Sequence, residues 1–484
     1  MRLTELWKGV ALTAGDPALD LEITGLACHS REIQPGGLFV AVPGQLDDGH
    51  RFIEDAVRRG AAAVVCQHPP GQPPGVPVFQ VPDSRAALSA LAANFYRRPG
   101  EEVTLIGVTG TNGKTTTTYL IKQLLEGVLN TKAGLIGTNQ NLIGGSSLPA
   151  AHTTPDSLEL QSLLRRMADG GCTHVVMEVS SHALALERTA GLTFDAGIFT
   201  NLTQDHLDFH RTMEAYRDAK ERLFQQSRTA VFNLDDEAGR YYASRRSGPM
   251  FTYSEARNEA SLCAKNLRLL PGRVEFEALT GQGIARVKLP IPGGFTIYNA
   301  LAALSCGLVL GLELEAMAAA LAQVQGVRGR VEVVPCPAEY TVIIDYAHTP
   351  DALENLLCAA RCCTKGRILL VFGCGGDRDR SKRPLMGQIA GELADYVIVT
   401  SDNPRTEDPM EIIRHVVDGM DAGSAPHEVV PDRREAIFRA LDLGKPGDLI
   451  LLAGKGHETD QLIGTEKRHL DEREEVARYF HERT

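Results

Sequence analysis

The residue pattern predicts an α/β protein of three domains: a small α/β domain at the N-terminus, a central mostly parallel sheet with helices, and a C-terminal Rossmann-like, doubly wound domain. Three observations lead there. The 484 residues are more than one hydrophobic core usually organises, so two or three domains are expected. Short apolar runs rich in β-branched residues alternate with stretches of helical period, as in strand–helix–strand units on a parallel sheet. The run Val103-Thr-Leu-Ile-Gly-Val-Thr-Gly-Thr-Asn-Gly-Lys-Thr-Thr116 reads as buried strand, glycine loop and helix start, which makes the central sheet P-loop-like.

In a first domain, 1–98, strands are expected at 38–42, 61–66 and 76–81 and helices near 52–59 and 84–96. The Pro/Gly-rich run 69–77 reads as a surface loop. Arg97-Arg-Pro-Gly100 punctuates the passage to a second domain, 99–328. Its strands are expected at 103–108, 173–179, 196–203 and 229–233, and its helices at 114–128, 213–224 and 296–311. A more β-like stretch over 261–288 interrupts that alternation. A third domain, 329–484, offers strands at 340–344, 367–372, 396–400, 428–430 and 448–452 with helices between them. Right-handed crossovers then give a doubly wound sheet whose ligands belong at the carboxyl ends of its strands.

Composition narrows the function. A net charge of −11 without a long basic run argues against nucleic-acid binding, so a phosphorylated ligand must meet local positive charge and backbone amides. The ten cysteines lack paired Cys-x-x-Cys spacing and read as reduced thiols of a cytoplasmic protein. Residues 1–16 carry Arg2, Glu5 and Lys8 and no apolar core of signal-peptide length. No run approaches 18 apolar residues, so no membrane span is expected.

The glycine loop carries the first chemistry. Gly110, Thr111, Asn112, Gly113, Lys114, Thr115 and Thr116 would cradle a nucleotide triphosphate with backbone N–H groups, and Lys114 adds a point charge. The spacing departs from G-x-x-x-x-G-K-[ST], because the residue five before Gly113 is Val108. An ordinary strand-to-helix turn is the alternative, and Gly-Lys-Thr-Thr weighs against it. Further on, Glu178 ends a Val-rich strand, and His206 follows another within Thr200-Asn-Leu-Thr-Gln-Asp-His-Leu-Asp208. Thr115, Glu178 and His206 together suit Mg2+, which needs only one or two protein ligands beside phosphates and water.

Other positions are less transparent. Lys220, on the amphipathic stretch 216–224, reads from spacing alone as a solvated surface charge. Asn299 lies on an apolar helical pattern, where a buried amide must be satisfied, so a base or ribose contact is open. In the third domain polar clusters follow four strands: Asp345-Tyr-Ala-His-Thr-Pro-Asp351, Gly373-Cys-Gly-Gly-Asp-Arg-Asp-Arg380, Ser401-Asp-Asn-Pro-Arg405 and Gly454-Lys-Gly-His-Glu458. The second departs from a dinucleotide G-x-G-x-x-G. Together they suit a zwitterion, with arginine forking a carboxylate and Asp and Glu receiving ammonium.

These motifs, spread almost end to end, resemble the Mur ligase family, ATP-dependent amide-bond formers of peptidoglycan precursor synthesis. The resemblance rests on Thr109-Gly-Thr-Asn-Gly-Lys-Thr-Thr116, Glu178-Val-Ser-Ser-His182, 201–208, Asp345 to Asp351 and Gly454 to Glu458. It implies ATP and Mg2+, with Lys114, Lys220 and His206 catalytic and Thr115, Glu178, His206 and Lys220 around the metal. Lys220 would be carbamylated (N6-carboxylysine), reversing its surface reading. Asn299, Arg330 and Asp345 match ATP contacts. Ser30, Gln45, His50, Thr153, Thr154, Ser180 and Arg188 match contacts to a UDP-muramoyl dipeptide, although Cys28 and His29 depart from the family pattern beside Ser30. Arg378, Asp402, Asn403, Pro404, Arg405, Gly454 and Glu458 match the amino-acid site. Within the family, Asp402-Asn-Pro-Arg405 marks members that add meso-2,6-diaminopimelate to the γ-carboxylate of UDP-N-acetylmuramoyl-L-alanyl-D-glutamate through an acyl phosphate. Lysine-adding relatives lack that arginine. The resemblance thus implies a UDP-binding domain, a central ATPase and an amino-acid-binding domain, in a cytoplasmic monomer serving cell-wall growth and division. The rivals are the same chemistry with L-lysine or another diamino acid, and a nucleotide-switched binding ATPase.

Overall fold

The apolar runs become strands of mostly parallel sheets covered by helices, because runs buried on both faces need helices above and below. The structure, a computed structural model, describes residues 1–44, 47–150, 152–270, 272–420 and 424–483, with all their side chains except that of Cys363. By contacts the chain forms two units. Met1–Thr109, Thr131–Gly197 and Ala219–Thr229 make the first, and Gly110–Asn130, Ile198–Asp218 and Ala230–Thr484 the second.

In the first unit Leu26–Ala27, Leu38–Val40, Ala63–Cys66 and Val78–Gln80 lie side by side in chain order, all parallel. Alternate residues face two cores: Leu38, Val40, Ala63 and Val65 line one, Phe39, Val64 and Cys66 the other. The helix Ser84–Phe95 starts at Asp83, whose carboxylate accepts from the Arg85 and Ala86 amides. A second set of strands runs in the order Phe194–Phe199, Thr104–Thr109, His174–Glu178, Ala133–Ile136, Asn141–Ile143, Ser146–Leu148. His174–Glu178 pairs in parallel with Thr104–Thr109 and Ala133–Ile136, whereas the last three strands form an antiparallel edge.

In the second unit the glycine loop opens the helix Lys114–Leu129, which packs on Phe295–Val309 and Leu314–Leu321. The β-like interruption resolves into Leu262–Leu270, Arg273–Thr280 and Ile284–Leu289, an antiparallel meander continued in parallel by Met250–Ser254 and Ser227–Asn233. The C-terminal sheet runs Glu332–Val334, Thr341–Asp345, Leu449–Ala453, Ile368–Phe372, Tyr396–Val399, His427–Val429. All its pairs are parallel except the first. The last-made strand, Leu449–Ala453, sits between the first two parallel ones, so the strand order reverses beside it. That reversal opens a crevice at the carboxyl ends. Ile343, Leu370 and Phe372 face one core and Val342, Leu369 and Val371 the other, as a doubly wound sheet requires.

The expected strand 196–203 is corrected to Phe194–Phe199. Residues 200–203 leave the strand because their polar groups bond the glycine loop. Strand Ala133–Ile136 and helix Ser157–Asp169 were not expected; the former is four residues with a glycine, too short to show a period. Among the described residues no helix is long and apolar enough to cross a membrane, and the cysteines whose side chains are described are free thiols.

Candidate functional site

The glycine loop is held in shape by the chain that follows a neighbouring strand. Asn201 takes the Thr111 amide on its carbonyl at 2.8 Å and the Asn112 amide on its side-chain oxygen at 2.9 Å. Thr200 Oγ1 donates to the Asn112 carbonyl at 2.7 Å, and the Thr203 amide donates to Thr111 Oγ1 at 3.0 Å. The loop is thus pinned from one side. The helix that starts at Lys114 has Gly113 as its N-cap, which brings no side chain to its first amides, and such a helix end suits an anion. Lys114 Nζ curls back and donates to Gly110 O and Thr111 O at 3.0 and 2.8 Å. Gly113 has φ +83°, and a Cβ there would stand 2.4 Å from Asn299 Oδ1, so this position demands glycine. Asn299 is buried, and Thr117 Oγ1 donates to the same oxygen at 3.4 Å. Asn299 therefore abuts the loop.

Arg330 and Asp345 belong to the same assembly. Arg330 Nη2 donates to Thr115 Oγ1 at 2.9 Å, and its guanidinium lies 4.7 Å above the Tyr346 ring. Both Asp345 oxygens accept backbone amides, from Val331 at 2.7 Å and Ala347 at 2.8 Å. Burial raises its pKa, opposed by Arg330 and those amides. Asp345 thereby holds the 329–331 segment that carries Arg330. Asp351 Oδ2 accepts from Asn112 Nδ2 at 2.6 Å. His206 sits at φ +55° beside Asp205, whose Oδ2 lies 3.4 Å from its Nε2. Burial would raise the Asp205 carboxyl, but His206 and Lys382 hold it below its usual range. His348 is driven to about 4 by burial and by Lys382, so it is neutral and donates Nδ1–H to Tyr346 O.

In the first unit Glu178 is fully buried at its strand end. Its two oxygens meet the Thr138 amide at 2.9 Å and Thr138 Oγ1 at 3.0 Å. Thr138 Oγ1 also meets Thr153 Oγ1 at 3.0 Å. Thr154 Oγ1 donates to Glu178 O and accepts from the Ser180 amide, while Arg188 Nη1 donates to Thr154 O at 2.8 Å. Glu178, Thr153, Thr154, Ser180 and Arg188 thus form one cluster. Lys220 is 1% exposed, which overturns its reading as a solvated surface charge. The amphipathic pattern places it on the buried face of Met213–Gln225, next to Ala219 and near Leu223.

The UDP end is more indirect. Ser30 is buried at the start of the short turn Ser30–Glu32. His50 donates Nδ1–H to Asp48 at 2.6 Å, while its Nε2 accepts the Gln67 amide at 3.0 Å. Both ring nitrogens are engaged, so His50 ties its loop to the end of strand Ala63–Cys66. Gln45 lies outside the described residues.

At the C-terminal crevice Asp402, Asn403, Pro404, Arg405, Gly454 and Glu458 come together from two strand ends. Gly454 has φ +112°, and a Cβ there would lie 2.7 Å from Asp402 Oδ2. Asn403 Nδ2 donates to Glu458 Oε2 at 2.8 Å, and the Gly376 amide donates to Asn403 O, bringing in the loop that carries Arg378. Arg405, at φ +51°, donates Nη1 to Gly376 O at 2.7 Å. Its pKa is lowered by burial and then by neighbouring Arg378, against Asp402, Glu458 and Tyr346. Two cations and two carboxylates thus converge, a geometry for a molecule bearing both charges. Sequence reasoning missed Thr138, Asn201 and Thr203 as supports and Lys455, fully buried inside the motif whose ends it named. A lysine in a loop gives no signal of burial.

The comparisons agree with this arrangement. Residues 108–307 match the Mur ligase middle domain, 329–456 the Mur ligase glutamate ligase domain, and 22–96 the Mur ligase family catalytic domain. The chain is 46% identical over 478 residues to the UDP-N-acetylmuramoyl-L-alanyl-D-glutamate–2,6-diaminopimelate ligase of Caldanaerobacter subterraneus subsp. tengcongensis, covering 98% of each. It is 48% identical over 477 residues to the like-named ligase of Synechococcus elongatus, covering 96% of this chain and 95% of the relative. A solved structure of a ligase of that name aligns over 100% of this chain and 99% of its own, at 33% identity and a TM-score of 0.70. With nearly the whole length matched at such identity, and with the glycine loop, the Glu178 cluster and the charged crevice in place, the chain belongs to the Mur ligase family.

Proposed function

We propose that this chain is the ATP-dependent ligase that joins meso-2,6-diaminopimelate to the D-glutamate γ-carboxylate of UDP-N-acetylmuramoyl-L-alanyl-D-glutamate. The relatives that match it from end to end carry that activity in their names. The observation that carries the choice of amino acid is Arg405 in the crevice, beside Arg378 and within the field of Asp402 and Glu458. Diaminopimelate differs from lysine by one carboxylate, and a guanidinium can fork it. A site that leaves Arg405 unmatched rejects the analogue lacking that group.

A free carboxylate is a poor electrophile and hydroxide a poor leaving group. ATP phosphorylates the γ-carboxylate, giving an acyl phosphate and ADP; the diaminopimelate amine then adds to the carbonyl and phosphate leaves. The amides of 110–116 and Lys114 hold the triphosphate and stabilise charge that develops during transfer. Arg330, held by Asp345, steers the Thr115 end of the loop. Thr154, Ser180 and Arg188 orient the muramoyl dipeptide, and Ser30, His50 and Gln45 its uridine end. Asp402, Asn403, Arg405, Arg378, Gly454 and Glu458 hold the incoming amino acid.

The donor chemistry fits Mg2+. Thr115 offers a hydroxyl, Glu178 a buried carboxylate and His206 an imidazole. Lys220 as an ammonium would repel the ion, whereas its carbamate adds an anionic oxygen ligand, and such a group suits a side chain 1% exposed better beside a cation. When bound, the ion neutralises phosphate charge. The reading includes a UDP-binding domain over 1–98, an ATPase domain over 99–328 and an amino-acid domain over 329–484, in a cytoplasmic monomer that supplies cell-wall precursor for growth and division. The deciding experiment is an amide-forming assay with UDP-muramoyl dipeptide, ATP and Mg2+ against diaminopimelate, L-lysine and other diamino acids. Faster turnover with L-lysine would overturn the choice of substrate, and ATP hydrolysis without amide formation would overturn the ligase reading.

A further inference from the structure

Beneath the crevice lies a lysine that none of the matched site positions includes. Lys455 is fully buried, and its ammonium has three hydrogen bonds to give. All three are placed: Glu458 Oε2 at 2.8 Å, Asp460 O at 2.7 Å and Asn403 Oδ1 at 3.3 Å. Two of these acceptors belong to the amino-acid site. A second buried pair nearby joins Arg433 and Glu472 at 2.8 Å, and Arg433 Nη2 also donates to Ala453 O, while Arg433 Nη1 and Glu472 Oε2 have no hydrogen-bond partner among the described residues. Glu472 senses the Lys455 charge, yet Lys455 makes no ion pair with it. The lysine is therefore committed to the crevice side.

That commitment has two geometric effects. Asn403 Oδ1 must be the oxygen, because it receives donors from both Lys455 Nζ and the Leu462 amide, the latter at 2.9 Å. Its Nδ2 is then aimed at Glu458 Oε2. Glu458 Oε2 thus accepts two donors, from Asn403 and Lys455, which locks the carboxylate plane. Oε1 accepts no hydrogen bond among the described residues, and the side chain is 29% exposed. The hairpin Asp460–Ile463 and Glu466–His469 completes the frame: its Leu462 O accepts the Arg405 amide, and Gln461 Nε2 donates to Asp402 O.

We infer that Lys455 is a positioning residue for amino-acid capture: it locks Glu458 and Asn403 so that Glu458 Oε1 is presented to an ammonium group of the incoming diamino acid. This rests on the ligase reading above and deepens it. Removing the lysine takes away one of the two donors on Glu458 Oε2 and frees the carboxylate to rotate.

The test uses the full-length enzyme with Lys455→Met and Glu458→Gln. With Lys455→Met, KM for diaminopimelate rises by about tenfold or more, as expected for a lost charge-assisted contact, while KM for ATP and for the UDP-dipeptide stay within about twofold. A role confined to folding would lower the amount of active enzyme and leave KM for diaminopimelate unchanged, which would overturn the inference. Glu458→Gln, at a partly exposed position, supplies the same comparison if the methionine variant does not fold. An unchanged KM for diaminopimelate in Glu458→Gln also overturns it. If the wild-type enzyme turns over L-lysine instead of diaminopimelate, the substrate reading fails, whereas wild-type diaminopimelate activity with an indifferent Lys455→Met refutes the positioning role alone.

Discussion

Replacing Arg405 with alanine removes one guanidinium from the crevice and little from the fold. In the structure Arg405 gives up one side-chain hydrogen bond, Nη1 to Gly376 O, while its amide and carbonyl keep their bonds to Leu462 and Gly464. The left-handed backbone at φ +51° is equally awkward for arginine and alanine, so the change should lower stability by about 1 kcal/mol. The loss to substrate is larger. A forked arginine–carboxylate contact supplies two charge-assisted hydrogen bonds, each contributing about 1.5–3 kcal/mol, and partial exposure reduces their sum to ~3–4 kcal/mol. At about 1.4 kcal/mol per factor of ten, kcat/KM for diaminopimelate should fall roughly 10²–10³-fold. KM for ATP should hold, because the glycine loop is built from other residues. Arg405→Lys, which keeps the charge but loses the fork, should fall between the two. Steady-state kinetics with each substrate varied in turn measures this, and thermal melts monitor the fold. A drop in kcat/KM smaller than about threefold would refute the assignment of a substrate carboxylate to Arg405, since one lost ionic hydrogen bond alone exceeds it.

Other expectations follow from single contacts. Gly113→Ala places a Cβ 2.4 Å from Asn299 Oδ1 on a left-handed backbone, so ATP affinity measured by calorimetry should fall at least about tenfold; unchanged affinity would contradict a tight loop. Lys220→Ala should abolish turnover, and native mass measurement of wild type should show an added carbon dioxide; a fully active alanine variant would end the carbamate proposal. Asp448, buried, accepts from Arg367 and from the amides of Arg367 and Lys445. Burial pushes its pKa up, but these donors win and hold it below its ordinary value. Its folded pKa lies below the unfolded one, so its stabilisation is present above about pH 4 and lost as pH falls through the folded value. Asp448→Asn should cost about 2 kcal/mol near neutrality, discounted for the partly exposed Arg367, and the difference from wild type should shrink in acid; a pH-independent gap in urea melts would refute the linkage.

Of the polar positions, those named by local order were legible in sequence. Gly110, Gly113 and Lys114 follow the strand Thr104–Thr109 and lead into the helix Lys114–Leu129, the local order from which an anion site was expected. Arg405 and Glu458 each follow a strand of the doubly wound sheet, where ligands bind. The supports were not legible, because each bond joins residues far apart in the chain. Asn201 and Asn112 are separated by 89 residues and Arg330 and Thr115 by 215, and no spacing rule links them. His50, expected at the uridine end, also ties its loop to the end of strand Ala63–Cys66 through both ring nitrogens, a tie that no local spacing signals.

What the sequence alone determined was the family and the α/β class, and it pointed to a glycine loop, a strand-end carboxylate and a charged crevice, because glycine, lysine and strand-end polar residues carry those signals locally. What only the tertiary structure decided was the state of the lysines. Lys220 and Lys455 look like exposed charges in their own segments, one on an amphipathic helix and one in a loop, yet both are buried. Burial of a charge depends on packing contributed by distant segments, and its cost depends on partners such as Asn403 and Glu458, which only the folded chain brings within hydrogen-bond reach of Lys455.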